Sequence, residues 1–131
     1  MGLTIDDQLA IQQLVARYNH AIDSGDSAAF AGAFVDDGVL DAGELQVEGR
    51  TALEQFGQQF HASARAPRHV ATNLVIDGHG DQATLQAYVQ MYALLGDPPR
   101  QEITASGKYT DTLAKVDGNW RFVRRTFTVD A

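Results

Sequence analysis

At Arg68 the hydrophobic pattern of this 131-residue chain changes its period. Before that point apolar residues recur at helical spacing; after it, four long stretches alternate apolar and polar residues as strands do. A chain that is helical first and strand-rich afterwards, with short links between the strands, folds as an α+β domain whose helices pack on one face of a strongly curved antiparallel sheet. The length suits a single domain over residues 1–131, and a core that buries about two-thirds of the unfolded surface.

The first helix is written in Ile11, Leu14, Val15, Tyr18 and Ile22, with Asp6, Asp7, Gln12, Gln13 and Arg17 on other faces. Thr4 is placed to cap it, with Asp7 completing a capping box. Its end falls within Asp23-Ser24-Gly25-Asp26, where Gly25 suits a left-handed stop and Asp26 a second cap. A short helix is predicted from about Ser27 to Phe34, then a small hairpin of Val39-Leu40 and Leu45-Gln46-Val47 around Ala42-Gly43. Thr51-Ala52-Leu53-Glu54 reads as the capping box of a third helix with Leu53, Phe56 and Phe60 on its apolar face. Strands are predicted over His69–Ile76, Ala83–Leu95, Ile103–Lys115 and Trp120–Val129. The order is therefore α-α-β-β-α-β-β-β-β. In the second long strand Leu85, Ala87, Val89 and Met91 form a dry face, and Gln86, Tyr88, Gln90 and Tyr92 a mixed one.

Charge and composition narrow the partners. Seventeen acidic against ten basic residues give a net charge of -7, a field that repels phosphate backbones and anionic lipids. Neither nucleic acid nor a membrane surface is expected as a partner. The absence of cysteine removes disulfides, thiol nucleophiles and thiolate metal sites. No two histidines stand at metal-binding spacing, and no Gly-x-Ser-x-Gly, phosphate loop or dinucleotide fingerprint occurs, so neither metal nor cofactor is expected. The acidic N-terminus and the lack of a long apolar run lead to the expectation of a cytoplasmic protein.

Asp23 lies where a helix dipole disfavours a negative charge, which asks for a local partner; the plain reading is a solvated or turn-capping carboxylate. His69 opens the first long strand, as a strand-end residue or as a base. An Asp and a His meeting in an apolar cavity make a general-base pair, in which the carboxylate fixes the tautomer and supports the imidazolium. Tyr18, Tyr88, Tyr92 and Tyr109 are candidate hydroxyls for a substrate oxygen, or core residues. Arg124 and Arg125 are adjacent on the last strand, so one faces inward and needs a carboxylate or an anionic substrate. Asp111, on the face of Tyr109, is either an extra acid or a surface ion pair with Arg124 or Lys115.

Several segments together resemble one family. They are Arg17-Tyr18 with Ala21-Ile22-Asp23-Ser24-Gly25-Asp26, Phe34-Val35-Asp36-Asp37-Gly38, Val47-Glu48-Gly49-Arg50, Arg68-His69-Val70-Ala71-Thr72-Asn73, Gly107-Lys108-Tyr109-Thr110-Asp111 and Asp117-Gly118-Asn119-Trp120-Arg121-Phe122. In this order they resemble the SnoaL-like branch of the nuclear transport factor 2-like, or cystatin-like, superfamily, with scytalone dehydratase, bile-acid 7α-dehydratase and ketosteroid isomerase among its relatives. The resemblance implies a cone-shaped domain whose curved sheet wraps the first helix around a hydrophobic pocket, in a homodimer. It implies His69, Asp23 and Tyr18 as catalytic residues, with Asn73, Tyr92, Tyr109 and Arg125 lining the substrate site.

Two features depart from the family's pattern. Where dehydratases carry a second acid or histidine, Gln90-Met91-Tyr92-Ala93-Leu94 offers only Tyr92. Where ketosteroid isomerase carries its shuttling aspartate, Ala42 stands, with Asp41 turned the other way. The function expected is a cofactor-independent lyase or isomerase acting on a small hydrophobic cyclic alcohol or ketone. The alternatives are a non-catalytic binding or dimerisation domain and a polyketide-cyclase-like aldol catalyst, the last needing Asp111 as its acid.

Overall fold

A computed structural model describes residues 2–130. Its elements run α1 (Ile5–Ser24), α2 (Ser27–Gly32), β1 (Phe34–Ala42), β2 (Leu45–Glu48), α3 (Arg50–Ser63), β3 (Arg68–His79), β4 (Gln82–Leu95), β5 (Arg100–Val116) and β6 (Asn119–Val129). The order is the one expected.

Thr4 caps α1 as its sequence predicts: the Thr4 hydroxyl accepts from the Asp7 N–H at 3.0 Å, and the Asp7 carboxylate accepts from the Thr4 N–H at 3.2 Å. The same carboxylate also takes hydrogen bonds from Trp120 Nε1 at 3.0 Å and Lys115 Nζ at 3.1 Å, tying the start of α1 to the end of the sheet. Gly25, at φ 83°, ends α1 in the left-handed conformation, and Asp26 caps α2 through the Ala29 N–H.

Two helix boundaries differ from expectation. Phe34 belongs to β1, where it pairs beside Phe122, because the chain leaves α2 straight into the sheet. Thr51 is not a cap: Gly49, at φ 89°, turns the chain out of β2 early enough for α3 to begin at Arg50, and the Leu53 N–H bonds the Gly49 carbonyl at 2.9 Å.

The six strands lie in the order β2-β1-β6-β5-β4-β3. Every neighbouring pair is antiparallel except β1 and β6, which run parallel, so the sheet is mixed rather than wholly antiparallel. Hairpin links fix only the pairing of strands adjacent in sequence; the contact between the first and last strands is long-range and leaves no local signal. Register shifts at Thr72/Val75, Met91/Tyr92 and Thr112/Leu113 interrupt the ladders and curve the sheet. Its inner face closes over the helices on a core that includes Ile11, Phe30, Phe34, Leu53, Leu85 and Phe122, all fully buried. Among the described residues no helix is long and apolar enough to cross a membrane.

Candidate active site

The last turn of α1 carries no basic residue, so the charge of Asp23 at the helix's negative end is answered from elsewhere. It is answered by one residue of β3. His69 Nδ1 lies 2.6 Å from Asp23 Oδ1, and the His69 backbone N–H donates to Asp23 Oδ2 at 2.8 Å. Side-chain exposure is 11% for Asp23 and 13% for His69. Strand parity turns His69 inward, since Arg68, Val70 and Thr72 are exposed while His69 and Ala71 are half-buried. A carboxylate on Nδ1 assigns the proton to that nitrogen and leaves Nε2 as a bare acceptor. The ring of Phe60 packs against the imidazole at a centroid distance of 5.4 Å.

His69 forms part of the wall of an apolar cavity of about 190 Å³. α1 contributes Tyr18 and Ile22, α3 contributes Phe56 and Phe60, and β1 contributes Leu40 and Ala42. The far wall is sheet: Val89 and Met91 of β4, Ala105 and Tyr109 of β5, and Phe127 of β6. A space of this size holds a small ring compound, since apolar cavities of about 150 Å³ admit benzene. Tyr18 and Tyr109 are both 4% exposed and bring hydroxyls into this otherwise dry wall. Burial first, and the neighbouring Tyr109 next, push the Tyr18 phenol well above its ordinary range. Burial likewise raises the Tyr109 phenol, against the pull of Arg125. Both remain neutral donors at physiological pH.

Of the residues singled out from sequence, His69, Tyr18 and Tyr109 line this cavity, and Asp23 reaches it through its hydrogen bonds to His69. Asn73, Tyr92 and Arg125 do not line this cavity. Asn73 does not share the face of His69: it is exposed and sits at φ 57° in the β3 bulge, and the interruption cancels the parity that simple alternation gave it. Tyr92 lies off the apolar cavity on the outer side of β4, where it borders a polar groove that Asp23 and His69 also line, with Asn19, His20, Arg68 and Gln101, and its hydroxyl donates to Gln90 at 3.3 Å.

Arg125 is inward but off the cavity wall, fully buried behind Tyr18 and Tyr109. It pairs with Asp111, Nε to Oδ1 at 3.2 Å, and both side chains are inaccessible to solvent. Asp111 is thus neither a surface partner of Arg124 or Lys115 nor a residue of the cavity wall; Arg124 pairs with Asp41, and Lys115 with Asp7. Asp41 faces away while Ala42 lines the cavity, as their alternation expects. The apolar wall residues Leu40, Ala105 and Phe127 were not singled out by sequence, where nothing distinguishes cavity lining from core. Their only signal is an inward parity shared with every core position.

A model of the SnoaL-like domain matches residues 3–126. Among solved structures, a protein of unknown function from Mycobacterium tuberculosis is 32% identical, with a TM-score of 0.91 over 97% of this chain and 78% of that one. A cystatin-like protein of unknown function from Nostoc punctiforme is 27% identical, with a TM-score of 0.86 over 99% of this chain and 96% of that one. A protein from Novosphingobium aromaticivorans provisionally named a scytalone dehydratase is 25% identical, with a TM-score of 0.86 over 97% of this chain and 86% of that one. No curated protein resembles the chain closely enough to count as a match. With its helices inside a curved six-stranded sheet and the family pattern running through nearly all of its length, the chain belongs to the SnoaL-like domain family, which includes isomerases, dehydratases and cyclases.

Proposed function

We propose that this protein is a cofactor-independent lyase or isomerase that removes a proton beside the carbonyl, or the carbon bearing a hydroxyl, of a small hydrophobic cyclic molecule. The observation that carries the reading is the double engagement of Asp23 by His69 on the wall of an apolar cavity. His69 Nε2 is the general base, and Asp23 holds the ring and stabilises the imidazolium. Tyr18 and Tyr109 donate to the substrate oxygen as negative charge gathers there. In isomerisation the imidazolium returns its proton to another carbon of the enolate. In elimination the C–H electron pair forms the double bond, the C–O bond breaks, and the hydroxyl leaves as water with that proton.

The open cavity and the buried position of Asp111 favour this reading over an aldol catalyst, whose nominated acid lies outside the cavity wall. Exposed Val70, Tyr88 and Ile103 on the outer sheet face support a homodimer, to be tested by light scattering. A panel of cyclic ketones and hydroxyketones, followed by mass spectrometry for loss of water and for deuterium uptake from heavy water, tests the activity. Turnover by the wild type that His69→Ala loses is expected. Ligand binding without turnover, unaffected by His69→Ala or Asp23→Asn, would mean a non-catalytic binding domain.

A further inference from the structure

Among the described residues Arg125 is the largest fully buried side chain, and none of it is accessible to solvent. Neither its three guanidinium nitrogens nor the two Asp111 oxygens complete a hydrogen bond among the described residues. Asp111 and Arg125 are register partners on β5 and β6, so their contact is a cross-strand pair. Two strands are held at least as well by a pair of apolar residues of similar size, because ion desolvation offsets most of the attraction. Strand adhesion alone leaves this pair unexplained.

Its surroundings supply the reason. The guanidinium carbon lies 3.4 Å from the ring centroid of Tyr109 and 4.4 Å from those of Tyr18 and Phe122. Two of these three rings belong to Tyr18 and Tyr109, which among the described residues are the hydroxyl-bearing side chains lining the cavity. A cation against a phenol ring in a dry interior favours the form with more negative charge on oxygen. We propose that Arg125, balanced by Asp111, is a positioning residue that strengthens Tyr18 and Tyr109 as hydrogen-bond donors to an oxyanion in the cavity; this rests on the proton-abstraction reading of that site.

Other charged or titratable groups face the phenols from each neighbouring element. Asp111 comes from β5, Asp23 from the end of α1, His69 from β3, and each phenol faces the other. Asp111 holds both phenolic protons on, Asp23 adds to this at Tyr109, and Arg125 loosens both. On both phenols Arg125 outweighs Asp111, consistent with its direct ring contact. The apolar elements around Tyr18 present Phe30 and Phe34, which carry no charge.

The test is a titration read without substrate. Uniform replacement of tyrosine by a fluorinated tyrosine brings the phenols into a range where the fold persists, and fluorine NMR follows each of the four residues. Arg125→Met should raise the transitions at positions 18 and 109 by about one unit or more, leaving Tyr88 and Tyr92 on the outer face unmoved. Arg125→Lys should restore part of the shift, and Asp111→Asn should move both transitions down. Unmoved transitions at 18 and 109 in folded Arg125→Met overturn the proposal. Should that variant not fold, Asp111→Asn and Arg125→Lys decide by the same criterion. Absent deuterium uptake by the wild type would instead defeat the underlying reading, so the two failures are distinguishable.

Discussion

Both carboxylate oxygens of Asp23 are occupied by His69, one by its ring and one by its backbone N–H. A single hydrogen bond would leave the imidazole free to swing about its contact. The second, from the main chain of the same residue, fixes the carboxylate relative to β3 and so aims the ring.

Asp23→Asn tests this arrangement. An amide at this position can donate to Nδ1 and drive the proton to Nε2, which blocks the base while keeping the fold. Nitrogen NMR should show the Nδ1–H tautomer in the wild type and its reversal in the variant. Proton abstraction is expected to fall by about 10²–10⁴-fold.

Tyr18→Phe and Tyr109→Phe each remove one donor while keeping the ring against Arg125. Loss of a donor to a developing oxyanion costs about a hundredfold in rate. Kinetics on the ketone turned over best, with thermal melts alongside, should show that loss with little change in stability. A variant that loses both rate and fold would place its hydroxyl in the core rather than in the reaction.

Asp111 gives the protein an unusual pH response. Burial pushes its carboxyl from 3.8 up to about 6 against the pull of Arg125. The folded state therefore binds this proton more tightly than the unfolded state. The associated stability is complete below pH 4 and is lost as pH rises through about 6. The difference in unfolding free energy between wild type and Asp111→Asn should fall over that window, by on the order of 3 kcal/mol, and then level off. Denaturant melts at a series of pH values check it.

The two threonines that head sequence-level capping boxes separate what was legible from what was not. Thr4→Ala should cost about 1 kcal/mol, because Thr4 is the cap of α1. Thr51→Ala should cost less than about 0.5 kcal/mol, because Thr51 is exposed inside the first turn of α3. Chemical denaturation of both variants measures the contrast.

The same distinction runs through the site. Helical spacing, caps and strand alternation are local, and they placed Tyr18, Asp23, His69 and Tyr109 well enough to bring them together once the family resemblance gave the topology. Asn73 failed because a bulge breaks the alternation on which its placement depended. The parallel contact of β1 with β6, and the burial of Arg125 against Asp111, are products of the closed tertiary structure. An adjacent Arg124-Arg125 pair says that one side chain turns inward; it does not say that three aromatic rings wait for it.

Deuterium uptake beside the carbonyl of cyclohexanone, indanone and tetralone tests the central claim most directly, because it reports proton abstraction whether or not the bound molecule goes on to react. Uptake catalysed by the wild type, and reduced to background in both His69→Ala and Asp23→Asn, is the predicted result. Uptake that persists unchanged in His69→Ala would contradict the account, since the proton would then be leaving to some other base.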